Sequence, residues 1–160
     1  MATLGFEDHN HKSCIAKGVA AADDCCASAG LQLTPVRRRV LEILLGGHKA
    51  MGAYEILDVL RNEGLGSQPP VVYRALDFLV KNGFAHKIER LNAFVACTHS
   101  TEDHLPVFLL CRTCNTVAES RGDPSSGVLT TVADQTGFRI ERTVIEAEGL
   151  CPKCQDTAAP

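Results

Sequence analysis

The chain has 160 residues, 45% of them hydrophobic, a formal net charge of −3 and eight cysteines. That length suits one domain or two small ones. No apolar run is long enough to cross a bilayer, and the start, MATLGFEDHNHK, lacks the basic region and apolar core of a signal peptide. A cytoplasmic setting is expected, and thiols kept reduced there point to metal ligation rather than disulfides.

In chain order, residues 1–12 are polar and read as a frayed terminus. The Ala-rich stretch 13–29 reads as a helix ending at Gly30. A second helix starts at Thr34, a natural N-cap, with Pro35 at its first position. Val36, Val40, Leu41, Leu44 and Leu45 form its apolar stripe, and Gly46–Gly47 end it. A third helix carries Ala53, Ile56, Leu57 and Leu60 on one face. After an LGSQ turn, a fourth begins at Pro69–Pro70 and ends at Gly83. Val72, Leu76, Leu79 and Val80 point one way along it, and Tyr73, Arg74, Asp77 and Lys81 the other.

The period then changes. AHKIER and AFVAC read as two short strands joined by a tight turn at Leu91–Asn92. Three helices and a hairpin make a winged helix-turn-helix, whose last helix enters the DNA major groove. An aromatic and two cations on its outer face suit phosphates and base edges, although a merely solvated face reads the same way. Beyond lie strands at 107–111 and 116–120, a turn at 123–127, a helix at 126–136, a strand at 138–147 and a last Cys pair. The expected fold class is thus α+β. A winged-helix DNA-binding domain (1–90, with strands and hinge near 84–97) precedes a small α/β domain (91–160). Charge divides in the same way: residues 31–90 carry nine Lys/Arg against six Asp/Glu, and residues 91–160 five against nine.

The strongest chemical signal is Cys111-x-x-Cys114 with Cys151-x-x-Cys154. Each knuckle aims two sulfurs at one ion, and two knuckles complete a closed tetrahedral zinc site. The 36 intervening residues exceed the roughly 15–20 of a compact zinc ribbon, but they accommodate a strand, a helix and a strand. Such a site is structural and contributes on the order of 10 kcal/mol to folding. Dithiol redox chemistry is the rival. A thioredoxin-like pair opens a helix, whereas these pairs follow an apolar strand or lie near the chain end.

His86, Cys97, His99, His104 and Glu119 remain as further ligand types. A two-residue turn at Leu91–Asn92 would pair Arg90 with Ala93 and set His86 opposite Cys97. A ladder extended from a Cys111–Cys114 pair would set Glu119 opposite Pro106, with His104 on the same face. Four donors of N, S, N and O type would hold zinc between the domains. The alternative is that each is simply packed or solvated on its strand. Arg37, Arg38, Arg39, Lys49, Arg74 and Lys81 are candidate phosphate contacts. The consecutive arginines cannot all face one way. His9, His11 and Cys14, beside Asp8, read as part of a polar tail or an auxiliary metal site. His48 reads as solvated, and Cys25 and Cys26 as small core residues.

LTPVRRRVLEIL, AYEILDVLR, PPVVYRALDFLVKNGFAHKIE and the paired Cys motifs together resemble the ferric uptake regulator family, most closely its zinc-responsive branch. The resemblance covers roughly residues 30–155. It implies a homodimeric, zinc-dependent transcriptional repressor that binds a palindromic double-stranded DNA operator, with about two zincs per chain and no enzymatic activity, membrane partner or small organic substrate. It implies structural zinc on Cys111, Cys114, Cys151 and Cys154, and regulatory zinc on His86, Cys97, His104 and Glu119. Tyr73 and Arg74 match its DNA-facing pair. Val36, Val71 and Asn115 depart from the polar residues and the glycine common at those positions. Two other readings stand beside this one: a same-fold sensor of iron, manganese or peroxide, and a constitutive zinc-ribbon interaction module.

Overall fold

A computed structural model describes residue 6 and residues 10–65, 68–98, 105–122 and 127–158. Four helices come first: α1 (His11–Ala29), α2 (Pro35–Leu45), α3 (Ala53–Asn62) and α4 (Pro69–Lys81). The hairpin β1 (Ala85–Ile88) and β2 (Ala93–Ala96) follows, then β3 (Leu105–Cys111), β4 (Val117–Gly122), α5 (Val128–Thr136), β5 (Ile145–Gly149) and α6 (Pro152–Ala158).

The helix boundaries follow local chemistry. Asn10 caps α1 through its side chain, which accepts from the Lys12 N–H at 3.0 Å. Thr34 caps α2, and Glu55 accepts the Gly52 N–H at 2.7 Å to open α3. The stripes Val40, Leu41, Leu44; Ile56, Leu57, Leu60; and Val72, Leu76, Leu79 are all buried and converge in one core. Ala22 and Cys26 of α1 join it, while Cys25 is exposed. Gly18 lets α1 approach α2 closely, since a Cβ there would lie 2.5 Å from Leu45 Cδ1.

The hairpin is buried on both faces. Ala85 and Phe94 belong to the helical core, whereas Ile88 and Val95 pack with Phe108, Leu110 and Val117 of the following sheet. The loop between α2 and α3 reaches both parts, through bridges from Met51 to Phe94 and from Lys49 to Thr116. The second sheet runs β4-β3-β5, antiparallel then parallel.

The expected registers are each wrong by two residues. Glu89–Leu91 form a 3-10 turn closed by Asn92 at φ 46°, so Ile88 faces Ala93 and His86 faces Val95 rather than Cys97. Cys111 pairs with Thr116, through its N–H at 2.9 Å, rather than with Cys114, and Glu119 therefore faces Phe108 rather than Pro106. Both loops need more residues than a minimal turn allows. The expected strand at 138–147 forms only over Ile145–Gly149; Phe138 and Ile140 before it are exposed. A strand requires a ladder partner, and β3 supplies one only from Ile145 onward. The turn expected at 123–127 lies almost wholly outside the described residues, as do His9, Asp8, His99 and His104.

Leu76 lies wholly inside the helical core. Leu76→Ala is expected to lower the unfolding free energy by about 2–5 kcal/mol, as a cavity of that size commonly does. Denaturant midpoints of the two proteins, at unchanged m-value, check this.

Candidate metal centres and candidate nucleic-acid interface

The four cysteines meet because β3 and β5 run parallel. Cys111 faces Gly149 across that ladder, so the chain delivers Cys151 beside Cys111. The Cys151 N–H points at Cys111 Sγ at 3.4 Å, and Cys114 Sγ lies 3.8 Å from Cys151 Sγ. Ligand atoms of Cys111, Cys114, Cys151 and Cys154 all fall within 4.8 Å of one another. Asn115 closes the first knuckle at φ 59°, donating its N–H to the Cys111 carbonyl at 2.9 Å. Asparagine is among the few residues that tolerate that conformation, so it serves in place of glycine. The second knuckle opens α6, with the Cys154 and Gln155 N–H groups on the Cys151 carbonyl. This helix was not expected from the sequence, and only the first knuckle lies away from a helix start, unlike a thioredoxin-like pair.

The thiols are electrostatically unequal. Backbone N–H groups of Cys114 and Cys151 draw the Cys111 thiol down to about 6. Cys114 is lowered as well, first by the Thr116 hydroxyl. Cys154 is pushed up to about 12, first by its hydrogen bond with Cys151 and then by burial. Four thiols with no side-chain base among them suit a closed structural zinc site.

A second cluster joins the hairpin to the sheet. Glu119 of β4 is 3% exposed. One carboxylate oxygen, Oε2, accepts the Thr98 N–H at 3.0 Å and the Thr98 hydroxyl at 3.2 Å. The other, Oε1, lies 3.2 Å from His86 Nε2 and 3.7 Å from Cys97 Sγ. Donor atoms of the three residues are within 4.8 Å of one another. The two-residue register error leaves this grouping intact, because a slip of two preserves which face each side chain occupies. Imidazole, thiol and carboxylate suit zinc better than magnesium or manganese. His104, the fourth expected ligand, lies outside the described residues. Sequence reasoning overlooked Thr98, which orients the carboxylate; a hydroxyl beside a cysteine carries no local signal for that role.

Glu146 was overlooked as well. Its carboxylate accepts the N–H groups of Glu89 at 2.9 Å and Arg90 at 3.3 Å, and Arg90 pairs with Glu148 at 3.1 Å. Two carboxylates of β5 thus hold the tip of the hairpin against the sheet.

Tyr73, Arg74 and Lys81 of α4 are exposed, opposite the buried Val72, Ala75, Leu76 and Leu79. The arginines of α2 are engaged within the chain. Arg37 stacks on Phe78 at 3.8 Å and donates to the Gln32 carbonyl. Arg38 pairs with Asp23, and Arg39 with Glu42 and Glu63. Lys49 is exposed in the α2–α3 loop, its backbone bridged to Thr116. No helix among the described residues is long and apolar enough to cross a membrane.

Residues 28–148 match the ferric uptake regulator family. The chain is 37% identical over 142 residues to the zinc uptake regulation protein of Escherichia coli strain K12, spanning 88% of this chain and 83% of that one. Its fold superposes on a zinc uptake regulator complexed with zinc and DNA at a TM-score of 0.85, with 36% identity over 91% of this chain and 98% of the other. Against XcZur the TM-score is 0.78 for the holo crystal structure (40% identity, 88% and 98% coverage) and 0.52 for the apo one (41%, 89% and 99%).

Zinc is held by thiolates, so its capture competes with protons. Cys111 is ionised above about pH 6, whereas Cys154 is still protonated at neutral pH. Zinc binding to the four cysteines at neutral pH should therefore release at least the Cys154 proton. Retention should fall as the pH drops through the range where Cys111 takes up its own. Calorimetry in buffers of different ionisation enthalpy, and zinc content against pH in the presence of a chelator, measure the two effects.

Proposed function

The chain belongs to the ferric uptake regulator family, and from that premise we propose that it is a zinc-responsive transcriptional repressor. It acts in the cytoplasm as a homodimer on a palindromic DNA operator that controls zinc uptake. The observation that carries this reading is the His86–Cys97–Glu119 cluster, which spans the hairpin and the following sheet. A ligand set placed there bears on how the winged helix is held, whereas the four-cysteine centre lies wholly within the second part of the chain. The division at about residue 90 assigns DNA binding to the first part and dimerisation to the second.

His86 comes from the hairpin, Cys97 directly follows it, Glu119 lies on β4, and His104 would complete the set. Zinc, when bound, supplies a divalent cross-link among these donors. Cys97 gives the thiolate, His86 the neutral imidazole, and Thr98 keeps the carboxylate aimed at both. Holding the hairpin against the sheet fixes each α4 relative to the dimer axis, and so matches two recognition helices to two half-sites. Pre-organisation of this kind lowers the ordering cost of DNA binding. The likeness to the holo rather than the apo form of XcZur, at 40% and 41% identity, supports a clamped arrangement of the elements. By linkage, operator DNA strengthens zinc binding by the same factor.

Tyr73 and Arg74 are the proposed base-edge or sugar contacts, with Lys81 and Arg37 near phosphates. Lys49 takes that role only if DNA reaches the α2–α3 loop. The exposed apolar face of Val128, Leu129 and Val132 on α5, with Phe138, supports dimerisation through the second part. In this reading the thiols are ligands, and the chain is not an enzyme. A sensor of iron or manganese fits less well, because those ions favour carboxylate and imidazole over the Cys97 thiol. A constitutive zinc-ribbon module would need only the four-cysteine centre.

The deciding experiment is a DNA-binding titration against buffered free zinc, with iron and manganese as controls. Cys97→Ser should remove a zinc–DNA coupling of about 1–3 kcal/mol while the protein still folds and dimerises. Loss of folding instead would make Cys97 structural. Arg74→Ala should weaken operator binding by about 1–3 kcal/mol with zinc content and dimerisation unchanged. Normal operator affinity in that variant would refute the assignment of α4.

A further inference from the structure

We propose that His11 and His48, with Cys14, form a third zinc site, separate from the two centres described above. His11 opens α1, and His48 lies in the loop between α2 and α3, 37 positions away in sequence. Their rings meet with centroids 5.2 Å apart and planes inclined at 47°. Two imidazole nitrogens bound to one tetrahedral ion at about 2.0–2.1 Å place the ring centroids about 5 Å apart. The pair therefore already has the separation of two ligands on a common zinc.

Both backbones are anchored. The Asn10 cap fixes the first turn of α1, and the His48 carbonyl accepts the Val117 N–H at 2.6 Å. Cys14 follows His11 by three residues, which places the two on the same face of α1. Cys14 and His48 also line one cavity of about 580 Å³, whose wall includes Cys97 and Glu119. His11 and His48 line a second cavity, shared with Cys114, Cys151 and Cys154. The three donors thus stand between the two other clusters, and all three are half-buried rather than sealed.

Two imidazoles and a thiol form a borderline-soft set, suited to zinc and unsuited to magnesium or calcium. Among the described residues only the two clusters above have three or more donors already in mutual reach. The histidine pair is the nucleus here, and the Cys14 thiol must swing in to complete it. The third site is accordingly weaker than the other two and fills after them. Once filled, it ties α1 to the α2–α3 loop, and it would register zinc beyond the level that loads the His86–Cys97–Glu119 cluster.

The test is a zinc titration of the full chain already carrying two equivalents, followed by nitrogen NMR of the histidine rings. A third equivalent is expected, with the His11 and His48 ring signals moving together as it binds. His11→Ala and His48→Ala should each weaken that equivalent by about tenfold or more, with the first two retained, and Cys14→Ser should weaken it as well. The proposal is overturned if no third equivalent binds, if it survives either histidine substitution, or if the two ring signals stay fixed in the unaltered protein. Zinc-dependent DNA binding is scored separately through Cys97→Ser, so the repressor reading and this site can fail independently.

Discussion

One buried carboxylate organises the joint between the two parts of this chain. A carboxylate removed from water is costly unless hydrogen bonds or an ion compensate it. Glu119 is answered on one oxygen by the Thr98 N–H and hydroxyl, and on the other by His86 and Cys97. Those partners all come from the hairpin or the two residues after it, and Glu119 from the sheet beyond. The charge therefore makes the seating of the hairpin on the sheet sensitive to what lies between them. A cation with affinity for nitrogen, sulfur and oxygen is the natural neutraliser at that point.

The surroundings keep this joint from being a loose tether. Ile88 and Val95 put one hairpin face into the second core, while Ala85 and Phe94 put the other into the helical core. Glu146 and Glu148 add charged contacts at the hairpin tip. On the helical side, Arg38 pairs with Asp23 and Arg39 with Glu63, tying α2 to α1 and to the end of α3. Cations used in that way are less free to meet phosphate, which leaves the exposed cations of α4 as the better candidates for DNA contact. The division of labour between arginines thus follows from their neighbours, since all carry the same charge.

The two metal clusters differ in ways that suit different tasks. Four thiols held by backbone N–H groups, at the end of a parallel strand pair, make a closed centre that staples α6 and β5 to β3. The mixed cluster draws its donors from separate parts of the fold and includes an imidazole whose ring stacks edge-on against Phe108 at 5.3 Å. An ion at the first would brace one sheet, whereas an ion at the second would brace the relation between two cores.

Much of this was legible along the chain. Helical stripes, the Thr34 cap, the prolines opening α4 and the C-x-x-C spacing are local features, and local features determine helix boundaries and knuckles. The side-chain parity of β1 and β2 was legible too, which is why His86, Cys97 and Glu119 could be grouped despite ladders misplaced by two residues. What the tertiary structure alone decided was each long-range meeting. These include the parallel pairing that brings Cys151 to Cys111, the absence of a partner for residues 138–144 in the described ladders, the capture of Arg38 by Asp23, and the approach of His11 to His48. The physical reason is common to all of them. Periodicity says which face a residue occupies, but only the packing of one face on another says which residue it meets.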